Sequence, residues 1–481
     1  MSSLRLPDRE RDRDAFLPIF LANIFPLVGV LWLGWQPATL VLIYGLELLV
    51  SVLLAGGKAL FAQQPPPADQ EGVITVSEGP LTDKRGSVRI HDSLPPIYLR
   101  NVPFALSVIL ALVMYSVFFG AVVFAIFQSV GGVTDPAVLA SVVALVVGQF
   151  LEAKRRYFGR RVYERVSPYA VVETPARQLF VLLFSLAFLG LALGSVGSLV
   201  LVVCLKLLVE WSSFRAERDE TDANRFADGF VAWFAGPSEP TGSLDPVRAP
   251  STDPSARVRP VRKALLLEGL LLGFWKTAFL IPFFGVLWLF IVLVVVSWLD
   301  SVFVFWLGVV ASAVILLLAV GIQAAKHYLE YGTLEYRRRG DYLVAYDRLL
   351  EEPQWAESVV RLRNVSLVSD RFVDRLLGTR TIRVTTGIRS TETERRLGPV
   401  DEPDRLVDVF ELPLATTDLE PINRPLAIGA GVLAARIVLA AIALIAVPGI
   451  PLETRFNGLV VPLFCSLVPW KLWTWACPDG D

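Results

Sequence analysis

The chain has 481 residues, of which 54% are hydrophobic and only 19% charged. Soluble globular proteins carry about 25% charged residues, so this composition argues against a string of ordinary water-soluble domains. A formal net charge of −1 gives no bulk attraction to nucleic acid, and none is expected as a partner.

The N-terminus alternates Arg and Asp/Glu from Arg5 to Asp14 and runs straight into an apolar stretch. No short apolar core ending in a small-x-small cleavage site is visible there, so the first stretch reads as a retained membrane helix. A bilayer-crossing helix needs about 20 mostly apolar residues. Runs of this kind occur at 16–35, 38–54, 103–127, 136–151, 178–194, 197–211, 277–299, 302–324, 425–447 and 459–477. The pattern predicts a polytopic α-helical membrane protein of about ten spans in five hairpins. Turns within hairpins carry almost no Lys or Arg, with Arg455 the exception. Stretches between hairpins are rich in Arg: Lys154-Arg155-Arg156, Arg160-Arg161 and Arg165 in one, Arg257, Arg259, Arg262 and Lys263 in another. Positive charge beside span ends marks the cytoplasmic side. The expected location is therefore the cell membrane, with both termini and all long loops cytoplasmic.

The loop at 63–100 contains Pro65-Pro66-Pro67 and two alternating stretches, 73–76 and 87–90. Asp83-Lys84-Arg85-Gly86 between them suggests a small hairpin. Residues 216–262 form a polar linker. Within it, Phe226, Phe230, Val231, Trp233 and Phe234 suit one face of a helix that lies on the membrane or packs under the bundle. The basic cluster at 257–263 either holds anionic headgroups or only sets topology.

After residue 326 helical runs give way to alternation. Strands are predicted at 341–346, 359–362, 365–368, 381–386 and 406–410, with a turn or short helix at 372–379. This spacing suggests a compact antiparallel barrel or sandwich. The predicted organisation is a six-span membrane domain at 1–215, the linker at 216–262, a two-span hairpin at 263–326, a β-rich domain at 327–415 and a C-terminal hairpin at 416–481.

Residues from about 328 to 412 resemble the bacterial pleckstrin-homology-like domain of membrane-flanking proteins. Leu362, Val365 and Leu367 match one of its elements, and Arg375, Leu376, Leu377, Gly378, Thr379, Ile382 and Val384 match another. The resemblance implies a curved sheet closed by a helix after Leu406, which conflicts with the strand reading there. The Glu351-Glu352-Pro353-Gln354-Trp355 insert departs from the family's plain glycine turn. Trp355, with Arg361, Arg363 and Arg371, forms the candidate interaction surface. The first six spans, with Tyr44-Gly45-Leu46-Glu47-Leu48, resemble an uncharacterised family of archaeal multi-pass membrane proteins, a domain of unknown function.

Ionisable groups inside the spans cost about 2.5–3.5 kcal/mol each at mid-helix by insertion scales. They are Glu47, Lys206, Glu210 and Arg436. Glu47 and Lys206 suit either an ion pathway or a packing salt bridge, and Lys206 can also pair with Glu210 on its own helix.

His91 and His327 lie outside the apolar runs, and Cys204, Cys465 and Cys477 form no zinc spacing. No phosphate loop, nucleophile triad or intramembrane aspartate pair is visible. No cofactor, metal or enzymatic activity is expected. Two functions remain. The first is a non-enzymatic membrane scaffold or regulatory protein whose cytoplasmic pleckstrin-like domain contacts a protein partner or the lipid surface. The second is a transporter or lipid-handling carrier using Glu47 and Lys206.

Overall fold

In a computed structural model, residues 30, 32, 36–66, 72–73, 76, 79–127, 136–216, 246–280, 302–386, 393–447 and 467–477 are described. The chain divides into two compact units. One comprises 1–82 and 89–244; the other comprises 83–88 and 245–481.

The first unit is helical. Its central element is the Pro37–Ala59 helix, which packs against helices Val102–Phe127, Pro136–Glu152, Pro168–Ser185 and Leu191–Ala216. Gly45 is where this helix comes closest to a neighbour: a Cβ there would lie 1.9 Å from Phe119 Cζ. Val41, Val52, Phe104, Val108, Phe119, Val172, Leu179, Leu183, Leu199 and Val203 fill the core. The end of the Pro37–Ala59 helix is tied down by side chains from distant segments, which add donors to the carbonyls of its last turn and of the residues just beyond. Asn101 Nδ2 donates to the carbonyls of Ala59 (2.8 Å) and Ala62 (2.7 Å), and Tyr157 Oη donates to Lys58 O (2.8 Å). Burial pushes the Tyr157 hydroxyl pKa up, so it stays a donor.

Pro168–Ser185 starts with Ser167 as N-cap, whose Oγ accepts from Ala170 N at 3.1 Å. A π-helical turn, Leu186–Gly190, extends it. The gap between the runs expected at 178–194 and 197–211 begins at Gly194, the one residue of the following helix with non-helical angles (φ 69°). Ser198 Oγ donates to the carbonyls of Gly190 (3.0 Å) and Gly194 (2.7 Å) there.

The ten-span reading is corrected. Among the described residues, two helices are long and apolar enough to cross a membrane: Pro37–Ala59 and Pro168–Gly190. The described parts of two further apolar helices, Leu99–Ile109 and Ala192–Leu208, are shorter. The runs expected at 16–35 and 277–299 fall largely outside the described residues, and so does the first part of the last run, 459–466. The physical reason is that an apolar run reports exclusion from water, not the medium that excludes it.

The second unit holds a β structure of two antiparallel sheets. The first contains β1 (Ala256–Val258), β2 (Leu334–Arg339), β3 (Tyr342–Asp347) and β4 (Glu352–Ser358), in that order. The second contains β5 (Arg363–Leu367), β6 (Arg380–Thr386) and β7 (Thr393–Val400). The Pro403–Phe410 helix buries Leu406 and Phe410 against a core shared by both sheets, with Tyr336, Leu343, Ala345, Leu362, Ile382 and Val384. The strand predicted at 406–410 is thus a helix, and the strand predicted at 359–362 is a 3-10 turn followed by Leu362. The short helix Phe372–Leu377 ends at Gly378, whose φ of 73° suits glycine at a helix C-terminus.

Helices Arg262–Leu280 and Val302–His327 pack closely through Gly269 and Gly273. A Cβ on Gly269 would lie 3.0 Å from Ala324 Cα, and one on Gly273 would lie 2.8 Å from Val320 O. This small-xxx-small spacing brings two helix backbones together. Helices Arg424–Ala446 and Leu467–Ala476 also pack together. The first arm of the hairpin predicted around 83–86 lies partly outside the described residues, and the segment 83–88 belongs to the second unit.

Candidate functional site

In the helical unit, Glu47 and Lys206 meet: Lys206 Nζ lies 2.5 Å from Glu47 Oε2, with both side chains about a quarter exposed (26% and 22%). The ammonium also sits 4.8 Å from the centroid of the Tyr44 ring, one helical turn before Glu47. Gln149 Nε2 donates to the Glu47 carbonyl at 3.4 Å. The side chain of Glu210 lies outside the described residues. The amphipathic stretch at 226–234 lies outside them altogether. Arg436 stands on an exposed face of the Arg424–Ala446 helix, which also exposes Val432 and Leu439.

A second ion pair in this unit, more deeply buried, has a weaker signal in the sequence. Arg177 Nε donates to Glu173 Oε1 at 2.7 Å, with the side chains 7% and 0% exposed. The same carboxylate oxygen accepts from Val73 N at 2.8 Å. Glycine at 72 permits that approach, since a Cβ there would lie 2.2 Å from Oε1. The signal that sequence reasoning missed is Glu-x-x-x-Arg at i,i+4 just ahead of the apolar run.

Three charged groupings occupy the β unit. In the first, Lys84 from the 83–88 segment pairs with Asp347, both side chains essentially buried (3% and 0%). Lys84 Nζ also donates to Thr333 Oγ1 at 2.8 Å. Asp347 accepts from Thr333 Oγ1 (2.7 Å) and from the backbone amides of Leu349 (2.8 Å) and Leu350 (3.1 Å). Burial lowers the Lys84 pKa, partly opposed by the Asp347 carboxylate. Gln354 closes the same attachment, its amide bridging Arg85 N (2.8 Å) and Arg85 O (3.2 Å).

In the second, Glu268 contacts the Arg371 guanidinium and lies 3.2 Å from His327 Nε2. Arg371 Nε stands 3.9 Å from Asp374 Oδ2, and Asp374 Oδ1 accepts from Thr379 Oγ1 at 2.7 Å. Burial outweighs the Glu330 carboxylate and brings the His327 pKa down to about 4. His327 is therefore neutral at physiological pH.

The third grouping covers the outer face of the first sheet. Val258 and Tyr336 are cross-strand partners pointing into the core, so the alternating residues Arg257, Glu335 and Arg337 point outward. Glu335 accepts from Arg259 Nε (2.6 Å) and Arg337 Nε (2.7 Å), with Arg257 Nε 4.0 Å away. Burial raises the Glu335 pKa, but the arginine hydrogen bonds and charges outweigh it and hold the carboxyl below its usual range. Arg337 stacks over the Tyr346 ring at 3.5 Å.

The candidate interaction residues separate. Trp355 is half-buried, packs against the shared core and lies 5.5 Å under the Arg395 guanidinium. Arg371 is engaged with Glu268. Arg361 and Arg363 are exposed. Among the described residues, no group of three or more His, Cys, Asp or Glu could hold a metal ion.

Residues 5–226 match a protein family described as a family of unknown function (DUF6498). This agrees with the resemblance of the N-terminal region to an uncharacterised domain. No curated protein and no solved structure matches the chain.

Proposed function

We propose that the chain is a non-enzymatic integral membrane scaffold or regulatory protein. Its helical unit sits in the bilayer, and its β unit, a pleckstrin-homology-like domain, works at the cytoplasmic surface on a protein partner or on lipid. One observation carries the membrane part. The Pro168–Gly190 helix buries Tyr169, Val172, Ala176, Leu179, Leu183 and Leu186, yet exposes Phe180 (41%), Phe184 (53%) and Phe188 (67%) along the other face. Those rings stack at i,i+4, with centroids 6.0 and 4.4 Å apart. A helix apolar on both its buried and its exposed side suits lipid rather than water.

The cytoplasmic side is inferred from exposed Lys154, Arg155, Arg156, Arg160 and Arg161, which lie between the Pro136–Glu152 and Pro168–Gly190 helices. The pleckstrin-like reading is supported by the four- and three-stranded sheets sharing one core, closed by the Pro403–Phe410 helix. Arg361 and Arg363 are the partner-facing residues to change, because replacing Trp355 would disturb the core as well.

The test has two parts. Membranes from expressing cells are washed with alkaline carbonate; the chain remains in the pellet if the helical unit is embedded, and its release would count against the reading. The intact protein is then purified in mild detergent, and co-purifying proteins are identified by mass spectrometry. Arg361→Glu with Arg363→Glu should remove a specific partner while leaving the fold intact.

The carrier alternative rests on the Glu47–Lys206 pair, whose side chains are partly exposed rather than sealed. Glu47→Gln and Lys206→Met in reconstituted vesicles separate the two readings. Loss of a solute or lipid flux with normal expression favours the carrier.

A further inference from the structure

We propose that the corner joining β1 to the Arg262–Leu280 helix is a binding site for the phosphate headgroup of an anionic phospholipid. The inference deepens the membrane reading above and rests on it. Arg257, Arg259, Arg262 and Lys263 are all exposed here. They fall within seven residues, and Glu335 is the carboxylate among them. Glu335 engages Arg259 through its Nε, and Arg257 approaches the same carboxylate with its Nε. In both arginines Nε is the atom nearest Glu335, which leaves the terminal Nη groups further from that carboxylate. Among the described residues no protein partner takes these groups, and the two side chains are 57% and 54% exposed.

A guanidinium held by one edge presents its other N–H groups in a fixed fork, which suits a phosphate's paired oxygens. The buried carboxylate thus orients the donors and leaves a surplus of positive charge. The corner itself is firm: Val261 N donates to Pro399 O at 2.7 Å, and Leu265 N to Val261 O at 3.2 Å.

The helix that begins at the basic residues selects a lipid over a soluble phosphate. Arg262 and Lys263 head a stripe of exposed apolar side chains, Leu266 (45%), Leu270 (47%) and Phe274 (47%), spaced four residues apart. The opposite face of the helix, at Ala264, Leu265, Gly269 and Gly273, is buried. Basic residues immediately ahead of an uncovered apolar stripe match a ligand with an anionic head and hydrocarbon tails. Free phosphate would use the first feature and ignore the second.

The intact protein in mild detergent is exposed to equal amounts of phosphatidylglycerol and phosphatidylcholine, and the retained lipid is measured by native mass spectrometry. Phosphatidylglycerol should be preferred. Arg257→Gln with Arg259→Gln should lower its retention about thirtyfold, from roughly 1 kcal/mol per basic residue at an anionic surface, and leave phosphatidylcholine unchanged. Arg257→Lys with Arg259→Lys keeps the charge but loses the fork, and should fall between. Inorganic phosphate alone should not displace the lipid. Equal retention of both lipids by the unaltered protein, or undiminished phosphatidylglycerol in both double variants, would overturn the proposal. Displacement by inorganic phosphate would overturn the lipid assignment. Failure of the underlying membrane reading looks different, since the chain would then leave the carbonate-washed pellet.

Discussion

The Pro168–Gly190 helix and the outer face of the β1–β4 sheet place opposite chemistry at the surface. The helix exposes Phe180, Phe184 and Phe188, while the sheet exposes Arg257 and Arg259 gathered around Glu335. Both surfaces back onto well-packed cores, and on the membrane reading proposed above the difference reflects the medium each meets. Their polar groups follow the same division. In the helical unit, two ion pairs stand among the apolar helices, Glu47 with Lys206 and Glu173 with Arg177. In the β unit, a carboxylate commonly meets several donors at once, as Asp347 and Glu335 do. A low-dielectric surrounding makes an unmatched charge costly. A domain beside water can keep surplus charge for recognition.

The largest expected effect breaks that contrast from the β side. Asp347→Ala leaves Lys84 buried without its counter-charge, and should destabilise the β unit by about 3–5 kcal/mol. Denaturant unfolding followed by hydrogen exchange of the β3 and β4 amides would register it. The double change Lys84→Met with Asp347→Leu should recover much of the loss. An unaltered midpoint for Asp347→Ala would mean that the pair contributes nothing.

The next effect is a pH dependence. His327 is neutral in the fold with a pKa near 4, against an unfolded value of 6.5. Between those values the unfolded chain binds the extra proton, so stability falls as the pH drops from about 6.5 to about 4. The loss approaches roughly 3 kcal/mol if the shift is complete. His327→Phe should flatten this limb of a stability-against-pH curve, and an unchanged slope would remove His327 as its source. Glu335 acts with the opposite starting charge but the same sign. Its depressed pKa contributes stability above the ordinary carboxylate range, which is lost as pH falls through the lower folded value. Glu335→Gln should remove that more acidic component.

From the helical side, Gly45→Val would drive a side chain into the Phe119 ring and cost about 1–3 kcal/mol by overpacking. Thermal stability in detergent measures it, and Gly45→Val with Phe119→Ala should regain part of the loss. The smallest change is Ser167→Ala, which removes the cap at Ala170 N and should cost about 1 kcal/mol. Ser167→Gly should cost less, and a loss equal for both variants would point away from capping.

Much of the β unit was legible in its residues. Alternation placed β3, β5 and β6, and the Arg-Leu-Leu-Gly-Thr run marked the short helix ending at Gly378. β2, β4 and β7 were missed because they are crowded with charge: Glu-Tyr-Arg-Arg-Arg, Glu-Pro-Gln-Trp and Thr-Glu-Arg-Arg. Their alternation appears only when one knows which face meets the core. The 406–410 segment alternates well enough for a strand, yet Pro403 at its start and burial of Leu406 and Phe410 one turn apart make it a helix.

Sequence alone determined the apolar character of the helical unit, the break at Gly194, the position of the β unit and the charges that needed partners. These depend on local composition and spacing, which a linear reading captures. It suggested Glu47 with Lys206 because two opposite charges in apolar runs have few ways to be satisfied. Only the tertiary structure decided that Lys84 crosses to Asp347, that Glu173 closes on Val73, and that Glu335 gathers arginines from two strands. It also replaced the ten-span count with two candidate helices among the described residues. Those outcomes join residues far apart in the chain, and no local period encodes a partner brought close only by folding.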